Sequence, residues 1–383
     1  MGCPWEDICG GCTFRSYSEA DYREHKQREL RRILETLPVC SLNFRPPLFV
    51  GDGGRRRATF AFTVRRGNLV FGFNRRRSEE LVDLTSCPLL VPEINIALPE
   101  IRRLMAELCK IPLPLPKNSR KHKKSLQVRI ERGDVAVCAA DNGLDLVLEF
   151  DAELGLEHKM AVFEWNENNK SVIRISHRRQ TFETAELLIE KAKPQIAIGG
   201  SSVYIPAGTF LQASAAGERA LTGLVLRYLD ETRGKIADLF CGVGTFSYPL
   251  SALSGNKILA VDSSKELLDG FRSSVNRNML TNIEILERNL FKYPLEGKEL
   301  SGFDALIFDP PRAGASAQVN AIAALPPTDR PQKIIAVSCN PHSFVKDAGI
   351  LLACGYELQE VTLVDQFAYS NHSELVALFT FNS

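Results

Sequence analysis

The 383-residue sequence lacks any apolar run that approaches the roughly 18 residues needed to cross a membrane as a helix. Its first residues, MGCPWEDICGGC, lack the charged and then apolar layout of a signal peptide. It also lacks the composition of a disordered chain, a collagen or a coiled coil, because 44% of its residues are hydrophobic and 24% are charged. The composition is ordinary for a soluble globular enzyme, and the length suggests two or three domains; we expect the protein to be cytoplasmic and to keep its cysteines reduced.

The sequence has almost no net charge, with 47 Lys and Arg against 46 Asp and Glu, but its basic residues are unevenly placed. Residues 54–78 contain eight arginines and no acidic residue, and a second basic cluster occupies residues 117–124. Two such clusters in one half of a neutral chain indicate a polyanionic partner, although a solvated surface would explain either cluster alone. The clusters consist of Arg55, Arg56, Arg57, Arg65, Arg66, Arg75, Arg76 and Arg77, and of Lys117, Arg120, Lys121, Lys123 and Lys124.

Three of the ten cysteines crowd into the N-terminus as the motif C-x5-C-G-G-C, formed by Cys3, Cys9 and Cys12. Soft thiolates in a reducing compartment suit an iron–sulfur cluster or zinc better than a disulfide framework. Cys87 is the best candidate for a fourth ligand, because a proline follows it, as in bacterial ferredoxin motifs. The spacing differs from the paired C-x2-C of many zinc sites, so we favour a [4Fe-4S] cluster over zinc or unligated cysteines.

The hydrophobic pattern changes near residue 200. An amphipathic helix is predicted over 15–36, and residues 47–190 alternate β-like segments with turns, which predicts a mostly antiparallel sheet with one helix near 92–110. From about residue 205, apolar strands alternate with helices, which is typical of a parallel sheet, and two closely spaced strands end the chain as a hairpin.

The predicted fold class is therefore α/β. A parallel sheet that ends in an antiparallel hairpin is the methyltransferase variant of the doubly wound fold, so we expect a Rossmann-like class I methyltransferase domain over 201–383. Before it we expect an N-terminal and central, mostly antiparallel β domain, 1–200, that would carry the iron–sulfur cluster and, through its basic clusters, bind a polyanion such as RNA. The helix near 15–36 could pack on the catalytic domain.

The segment DLFCGVGTF, 238–246, follows a predicted strand and opens a helix, as a nucleotide-binding loop does. Gly242 and Gly244 permit a tight turn and close approach of a ligand. The third glycine of a dinucleotide fingerprint is replaced by Ser247, which favours S-adenosylmethionine over NAD. Asp262 ends the next strand, where a carboxylate can accept hydrogen bonds from both ribose hydroxyls; a solvated acid at the strand end is the alternative.

Three further motifs lie at the carboxyl ends of later strands, where open α/β sheets bind ligands. They are DPPR at 309–312, SCNP at 338–341 and HSE at 372–374. A cysteine and a glutamate beside DPP suit methylation at carbon: a thiolate adds to C6 of uracil, C5 becomes nucleophilic, and a base removes the C5 proton. Cys339 is the candidate nucleophile and Glu374 the candidate base. Cys241 is the rival cysteine, although its place in the cofactor loop favours a packing role.

Together these motifs resemble the RNA 5-methyluridine (uracil-C5) methyltransferase family, in the bacterial branch that acts on 23S ribosomal RNA. The resemblance covers nearly the whole chain and includes RRRATF, GFNRRRS, FLQAS, DLFCGVGTF, DPPRAG, VSCNP and DQFAYSNHSE. It implies S-adenosylmethionine-dependent methylation of a 23S rRNA uridine, with Cys339 as nucleophile and Glu374 as base. It also implies a [4Fe-4S] cluster on Cys3, Cys9, Cys12 and Cys87. The implied cofactor contacts are Gln212, Phe240, Thr245, Asp262, Asn289 and Asp309.

The sequence departs from the family pattern at three places. Ser214 stands where the motif F-x-Q-x-N ends in asparagine, Thr245 stands where asparagine is frequent, and Ala368-Tyr369-Ser370 replaces Pro-His-Thr. Several family members carry an RNA-binding TRAM barrel before the cysteine motif, at which this sequence begins, so either the chain is of a shorter subgroup or that domain is missing from it.

Two alternative functions stay open at this point. The first is the same reaction on tRNA, although enzymes of the tRNA branch generally lack the cysteine motif. The second is a non-catalytic iron–sulfur protein that binds RNA or senses redox state. We expect a monomer that binds RNA and does not associate with membranes.

Overall fold

The structure is a computed structural model that describes residues 2–114 and 128–382; the second basic cluster, 117–124, lies outside the described residues. The helices are α1 (Glu19–Leu34), α2 (Pro92–Leu108), α3 (Leu156–Glu167), α4 (Ala215–Leu229), α5 (Ser247–Ser251), α6 (Lys265–Arg277), α7 (Ser316–Ala323) and α8 (Pro341–Ala353). The strands are β1 (Leu48–Phe49), β2 (Arg57–Arg65), β3 (Asn68–Asn74), β4 (Leu81–Asp83), β5 (Arg132–Ala140), β6 (Gly143–Glu149), β7 (Val172–Arg178), β8 (Glu186–Glu190), β9 (Gln195–Ile198), β10 (Ser201–Tyr204), β11 (Lys235–Leu239), β12 (Lys257–Asp262), β13 (Ile283–Glu287), β14 (Ala305–Phe308), β15 (Lys333–Ser338), β16 (Glu357–Asp365) and β17 (Glu374–Thr380).

The chain divides into two compact units, each built from separate stretches of sequence. The first unit comprises Met1–Arg15, Asp52–Ile196 and Pro206–Thr209, and the second comprises Ser16–Gly51, Ala197–Ile205 and Phe210–Ser383. The predicted boundary at residue 200 differs from this division, because residues 16–51 belong to the second unit. The physical reason is the apolar face of α1, whose Leu30 and Leu34 are buried in the same core as α8.

The first unit is a seven-stranded sheet in the order β4-β3-β2-β5-β6-β7-β8. Its neighbouring strands are antiparallel, except that β6 and β7 are parallel. A parallel pair needs a crossover, and α3 supplies it. The sequence pattern missed α3, because its apolar residues form no clear stripe along one face. The predicted helix near 92–110 is α2, which buries Ile94, Leu98 and Ile101 in a core shared with Phe60 and Phe71 of the sheet.

The second unit contains an eight-stranded sheet in the order β1-β16-β17-β15-β14-β11-β12-β13. Strands β11 to β15 are parallel, and β17 lies antiparallel between β15 and β16, which confirms the predicted parallel sheet that ends in an antiparallel hairpin. The strand β14 is buried along its whole length, as expected when helices cover both faces of a parallel sheet. The strand β1 adds an edge by parallel pairing with Val364 and Asp365 at the end of β16.

The strands β9 and β10 form a separate two-stranded sheet. Within the described residues, no helix is both long enough and apolar enough to span a bilayer.

Candidate active site

The predicted cofactor loop lies between β11 and α5, and backbone geometry explains its glycines. Gly244 has a φ of 92°, and a Cβ at this position would lie 2.5 Å from the ring of Phe271, so the loop requires glycine there. The amide of Gly242 donates to Oδ2 of Asp262 at 3.0 Å, and the amide of Ser264 donates to Oδ1 at 2.9 Å. Asp262 therefore ties the loop to the end of β12, and its two oxygens retain further lone pairs for ligand hydroxyls.

The rest of the predicted cofactor set surrounds this loop. Phe240 leaves β11 with a φ of 61°, and Thr245 is half-buried within the loop. Asn289 follows β13, and its Oδ1 accepts hydrogen bonds from the amides of Phe291 at 3.0 Å and Lys292 at 3.2 Å. A shallow open depression of about 660 Å³ is lined by Ser263, Glu287, Arg288, Asn289 and Tyr293.

A buried carboxyl group that sequence reasoning missed lies beneath the loop. Asp238 in β11 is fully buried, and its Oδ2 accepts a hydrogen bond from the hydroxyl of Ser247 at 2.6 Å. The pKa of Asp238 is raised to about 7, mainly by burial and in part by the charges of Asp309 and Asp262, although the hydrogen bond from Ser247 opposes the rise. Ser247, which replaces the third glycine of a dinucleotide fingerprint, thus has a structural partner in this chain.

The three predicted motifs of the later strands meet at the carboxyl edge of the second unit's sheet. Cys339 follows β15 and is half-buried. The pKa of the Cys339 thiol is raised to about 11, mainly by burial and then by the charges of Asp309 and Glu374, against a smaller opposing effect of Arg312. The side-chain amide of Asn340 donates to the Arg312 carbonyl at 2.9 Å, which ties SCNP to DPPR. The guanidinium of Arg312 also contacts the His372 ring, which ties DPPR to HSE.

A chain of side-chain amides and carboxylates connects the candidate base to the cofactor residues. Nε2 of Gln212 donates to Oδ2 of Asp309 at 3.2 Å. Nε2 of Gln366 donates to Oε1 of Gln212 at 2.5 Å and to Oε2 of Glu374. The pKa of Asp309 is raised to about 7 by burial, which outweighs the opposing effect of the hydrogen bond from Gln212. The sequence analysis did not single out Gln366, although it lies within the DQFAYSNHSE segment.

The rival cysteine has a different environment. Cys241 is buried inside the cofactor loop, with its amide bonded to the carbonyl of Val261 at 3.0 Å. Burial raises the pKa of its thiol well above the ordinary value, and Asp238 and Asp262 raise it further. These features suit a packing residue, whereas Cys339 is more accessible and is influenced by Glu374.

The departure at Ser214 also has a local explanation. Ser214 is the N-cap of α4, and its Oγ accepts a hydrogen bond from the amide of Gly217 at 2.9 Å. Serine and asparagine are about equally favourable N-caps, so the replacement preserves the start of the helix.

The four cysteines of the predicted cluster belong to the first unit and influence one another electrostatically. The pKa of the Cys12 thiol is raised to about 12, mainly by burial and in smaller part by the charges of Cys87, Cys9 and Cys3. Among the described residues, no three His, Cys, Asp or Glu side chains are arranged to hold a metal ion. The metal therefore stays a prediction that rests on the kind and number of donors.

Contacts with β3 hold the N-terminal cysteine loop. The amide of Gly10 donates to the carbonyl of Asn74 at 2.8 Å, and a Cβ on Gly10 would lie 2.9 Å from that oxygen. The guanidinium of Arg76 donates to the carbonyl groups of Glu6 at 3.2 Å and Cys12 at 3.1 Å.

These contacts reduce the number of arginines in the predicted cluster that are available to bind RNA phosphates. Arg56 is buried, and Arg76 binds the cysteine loop, so neither is simply a phosphate-facing side chain. Four other arginines of the cluster are exposed, and no hydrogen bond from their side chains to the cysteine loop is described: Arg65, Arg66, Arg75 and Arg77.

Comparison with known proteins agrees with this organisation. Residues 201–380 match the model of the tRNA (uracil-5-)-methyltransferase family. An RNA methyltransferase of Brucella suis, described only as uncharacterized, is 33% identical over 379 residues, which cover 99% of this chain and 83% of the relative. The 23S rRNA (uracil(1939)-C(5))-methyltransferase RlmD of Vibrio parahaemolyticus is 27% identical, over 98% of this chain and 81% of the relative.

A solved structure shares the fold. The Pyrococcus abyssi tRNA (uracil-54, C5)-methyltransferase, crystallised with S-adenosyl-L-homocysteine, superposes with a TM-score of 0.73 and 21% identity, over 97% of this chain and 86% of that chain. Sequence relatives and the family model agree on the same class of enzyme, and the resemblance seen in the motifs is confirmed. The chain belongs to the RNA (uracil-C5) methyltransferase family.

Proposed function

We propose that this protein transfers a methyl group from S-adenosylmethionine to C5 of a uridine in 23S ribosomal RNA. The observation that carries the proposal is the convergence of Cys339, Asp309 and Glu374 at one edge of the sheet, beside the cofactor loop. A thiol and a carboxylate at one site are the two groups that uracil C5 methylation needs.

Catalysis begins with the thiol of Cys339. With a pKa of about 11, this thiol is protonated at neutral pH, so it must lose its proton as uracil enters. Asp309, with a pKa of about 7, is poised to accept that proton. The thiolate then adds to C6, and the electron pair of the C5–C6 double bond moves into an enolate.

The enolate makes C5 nucleophilic, and C5 takes the methyl group from the sulfonium, which leaves S-adenosylhomocysteine. Glu374 removes the proton from C5, the double bond reforms, and the Cys339 sulfur leaves C6. The sum is one methyl gained and one proton lost at C5, with both protein groups regenerated after proton exchange with solvent.

The residues that would hold S-adenosylmethionine are the loop glycines, together with residues at the ends of neighbouring strands. The carboxylate of Asp262 suits the ribose hydroxyls, and Asn289 lies beyond the next strand. The cofactor would supply an electrophilic methyl group. The full proposed set is Gln212, Phe240, Gly242, Gly244, Thr245, Asp262, Asn289 and Asp309.

Cys3, Cys9, Cys12 and Cys87 would hold a [4Fe-4S] cluster. Four cysteine thiols are a soft donor set, which suits iron–sulfur chemistry. The cluster would join the N-terminal loop to the segment that precedes α2. We assign it no step in the methyl transfer.

The choice of 23S rRNA over tRNA is supported by the named relatives: two enzymes described as 23S rRNA (uracil(1939)-C(5))-methyltransferase RlmD are 27% and 28% identical over 98% of this chain. The solved tRNA enzyme covers a similar share of the chain at 21% identity, so coverage alone does not choose the target. The decisive experiment is mass mapping of 5-methyluridine in ribosomal RNA and tRNA from cells with and without the gene. Loss of one 5-methyluridine from 23S rRNA supports the proposal, and a loss confined to tRNA contradicts the target.

The identity of the nucleophile is tested with RNA that contains 5-fluorouridine. Fluorine cannot leave C5 as a cation, so the wild-type enzyme should be trapped on RNA as an adduct that survives denaturing electrophoresis. Cys339→Ala should form no adduct, and the matched variant Cys241→Ala should still form it. An adduct with Cys339→Ala but not with Cys241→Ala would assign the chemistry to the other cysteine.

A further inference from the structure

Gln366 occupies a buried position between the candidate base and the cofactor residues. Only 4% of its surface is exposed, and the same holds for Gln212, while Glu374 is 3% exposed. Its Nε2 donates to Oε2 of Glu374 and to Oε1 of Gln212. The other end of the amide, Oε1, has no hydrogen-bond partner among the described residues.

The Gln366 side chain acts only as a donor toward its two neighbours, because both bonds come from the amide nitrogen. A primary amide nitrogen carries two hydrogens, and here each points at a different acceptor. One side chain therefore sets the positions of both Glu374 and Gln212. A donor to a carboxylate also stabilises its charged form relative to its protonated form. Glu374 must be ionised to accept the C5 proton, and the bond from Gln366 favours that state.

The packing around Gln366 is specific. A Cβ at Gly217, in the first turn of α4, would lie 2.7 Å from both Cβ and Oε1 of Gln366. The glycine at this position therefore makes room for the amide. Gly223, in the same helix, would meet nothing within 4 Å if it carried a Cβ, so it needs no such space.

Four other charged or titratable groups lie near Glu374 at the carboxyl edge of the sheet, namely Asp309, Cys339, Arg312 and His372. Asp309 accepts from Gln212, and Cys339 is influenced by both Asp309 and Glu374. Arg312 lowers the pKa of Cys339 and contacts His372, on the loop that leads to Glu374.

We propose that Gln366 is a positioning residue for the second half of the reaction, holding Glu374 ionised and correctly oriented to remove the C5 proton. This inference rests on the proposed function, since it assigns a role to Gln366 through Glu374. Gln366 reaches the cofactor residues only through Oε1 of Gln212, whose Nε2 keeps its own bond to Asp309, so we expect the larger effect to fall on Glu374.

The test separates the two steps in the variant Gln366→Met, which retains the length of the side chain and removes both donors. Methyl transfer is followed as S-adenosylhomocysteine formed in the first turnover, and proton removal as tritium released from RNA labelled at uridine C5. We expect methyl transfer within about threefold of wild type and tritium release slowed at least tenfold. The pH profile of tritium release should move upward by about one unit, because the carboxylate loses a hydrogen bond to its charged form.

A second variant perturbs the same amide from a different element. Gly217→Ala should displace Gln366 and slow tritium release more than methyl transfer, whereas Gly223→Ala should leave both steps unchanged. Gln359→Met, which removes a glutamine from β16 where it binds Glu357 and Thr380, controls for the change of residue type. Melting temperatures of all variants identify any general loss of fold.

The outcomes distinguish this inference from the proposed function. If Gln366→Met and Gly217→Ala slow tritium release and methyl transfer equally, or slow neither step, the role of Gln366 is overturned. The proposed function is unaffected in that case, provided that the wild-type enzyme methylates the RNA. A wild-type enzyme that releases no tritium from uridine C5 would instead overturn the proposed function. A methionine variant with the expected split but an unmoved pH profile would contradict the ionisation part of the role.

Discussion

At the residue scale, two acidic side chains next to the cofactor loop have unusual protonation. The pKa of Asp238 and that of Asp309 are each raised to about 7, mainly by burial. Asp238 lies beneath the cofactor loop, and Asp309 lies beside Gln212. Asp309 is suited to proton exchange near neutral pH. Asp238 has a partner for Oδ2 in Ser247, but Oδ1 has none in the described part of the chain, so its ionised form is poorly stabilised.

Replacing Asp238 by asparagine should therefore stabilise the protein at high pH. The native pKa lies above the unfolded value, so the wild type loses stability as the pH rises from about 4 through 7, and asparagine does not titrate. We expect Asp238→Asn to match the wild type near pH 4 and to exceed it by roughly 2–4 kcal/mol above pH 8. Urea unfolding across this pH range measures the difference.

The matched control for this prediction is Asp269→Asn, which removes an exposed carboxylate from α6. Its free energy of unfolding should follow the wild type at every pH within about 0.5 kcal/mol. A pH-independent difference between Asp238→Asn and the wild type would show that Asp238 does not titrate in the expected range.

The sequence predicts a site residue well when the features that define its role lie close by in the chain, and poorly when they lie far away in the chain. Cys339 and Asp309 could be placed because a motif that directly follows an apolar strand must lie at the carboxyl edge of the sheet. Gln366 could not, since its role depends on Gln212, which is 154 positions away in the chain. Arg56 shows the opposite failure: it lies within an arginine run typical of a surface, yet the folded sheet buries it.

At the element scale, α1 holds the segment that carries the candidate base. Nζ of Lys26 lies 3.4 Å from Oδ1 of Asp365 and donates to the carbonyl oxygens of Ser370, at 3.2 Å, and His372. The hydroxyl of Tyr22 donates to Asp365. Both charged groups are almost fully buried, and burial lowers the pKa of Lys26. The helix thus fixes the segment between β16 and β17 from one side.

Removing this buried cation should disturb both stability and catalysis. Lys26→Met leaves the Asp365 carboxylate buried without its cation and releases two carbonyl groups, which we expect to cost about 3–5 kcal/mol of folding free energy. Arg28→Met also removes a cation from α1, but Arg28 is exposed and pairs only on the surface with Glu24, so it should cost less than about 0.5 kcal/mol. Equal effects of the two variants on chemical denaturation would contradict a buried anchoring role.

The sequence pattern predicted α1 and offered the catalytic domain as its partner, but the pattern itself did not require that partner. The amphipathic stripe over 15–36 indicates a helix with one buried face, and the structure gives bounds of Glu19–Leu34. Nothing in that stripe says which core receives Leu30 and Leu34, because periodicity records which face is buried and not what covers it. The same limit explains why α3, with no clear stripe, was missed.

At the scale of the whole molecule, the cysteine motif predicts the metal content of the purified protein. The anaerobically purified protein should be brown, absorb broadly at about 400 nm and contain about four irons per chain. Cys87→Ser should lose iron and destabilise the first unit, whereas Cys40→Ser, which changes an exposed cysteine, should retain the colour and the iron. Stoichiometric zinc without iron in the wild type would rule out the cubane.

The arginine cluster makes a prediction about RNA affinity. Arg65 and Arg77 are exposed, and removing one phosphate-binding side chain should reduce the slope of log affinity against log salt by about 0.7–0.9. The double variant Arg65→Gln, Arg77→Gln should therefore bind RNA more weakly and with a slope shallower by about 1.5. Arg103→Gln, an exposed arginine of α2 paired with Glu100, is the control and should leave the slope unchanged. An unaltered slope in the double variant would identify the cluster as a solvated surface.

The most direct test of the central claim is intact mass spectrometry of Glu374→Gln after incubation with RNA and S-adenosylmethionine. Without its base, the enzyme can still add to C6 and transfer the methyl group, but it cannot complete the elimination. We expect a covalent complex whose mass equals protein plus RNA plus one methyl group, with the linkage on the peptide that contains Cys339. Normal turnover by this variant, or an adduct on any other residue, would contradict the assignment of Cys339 as nucleophile and Glu374 as base.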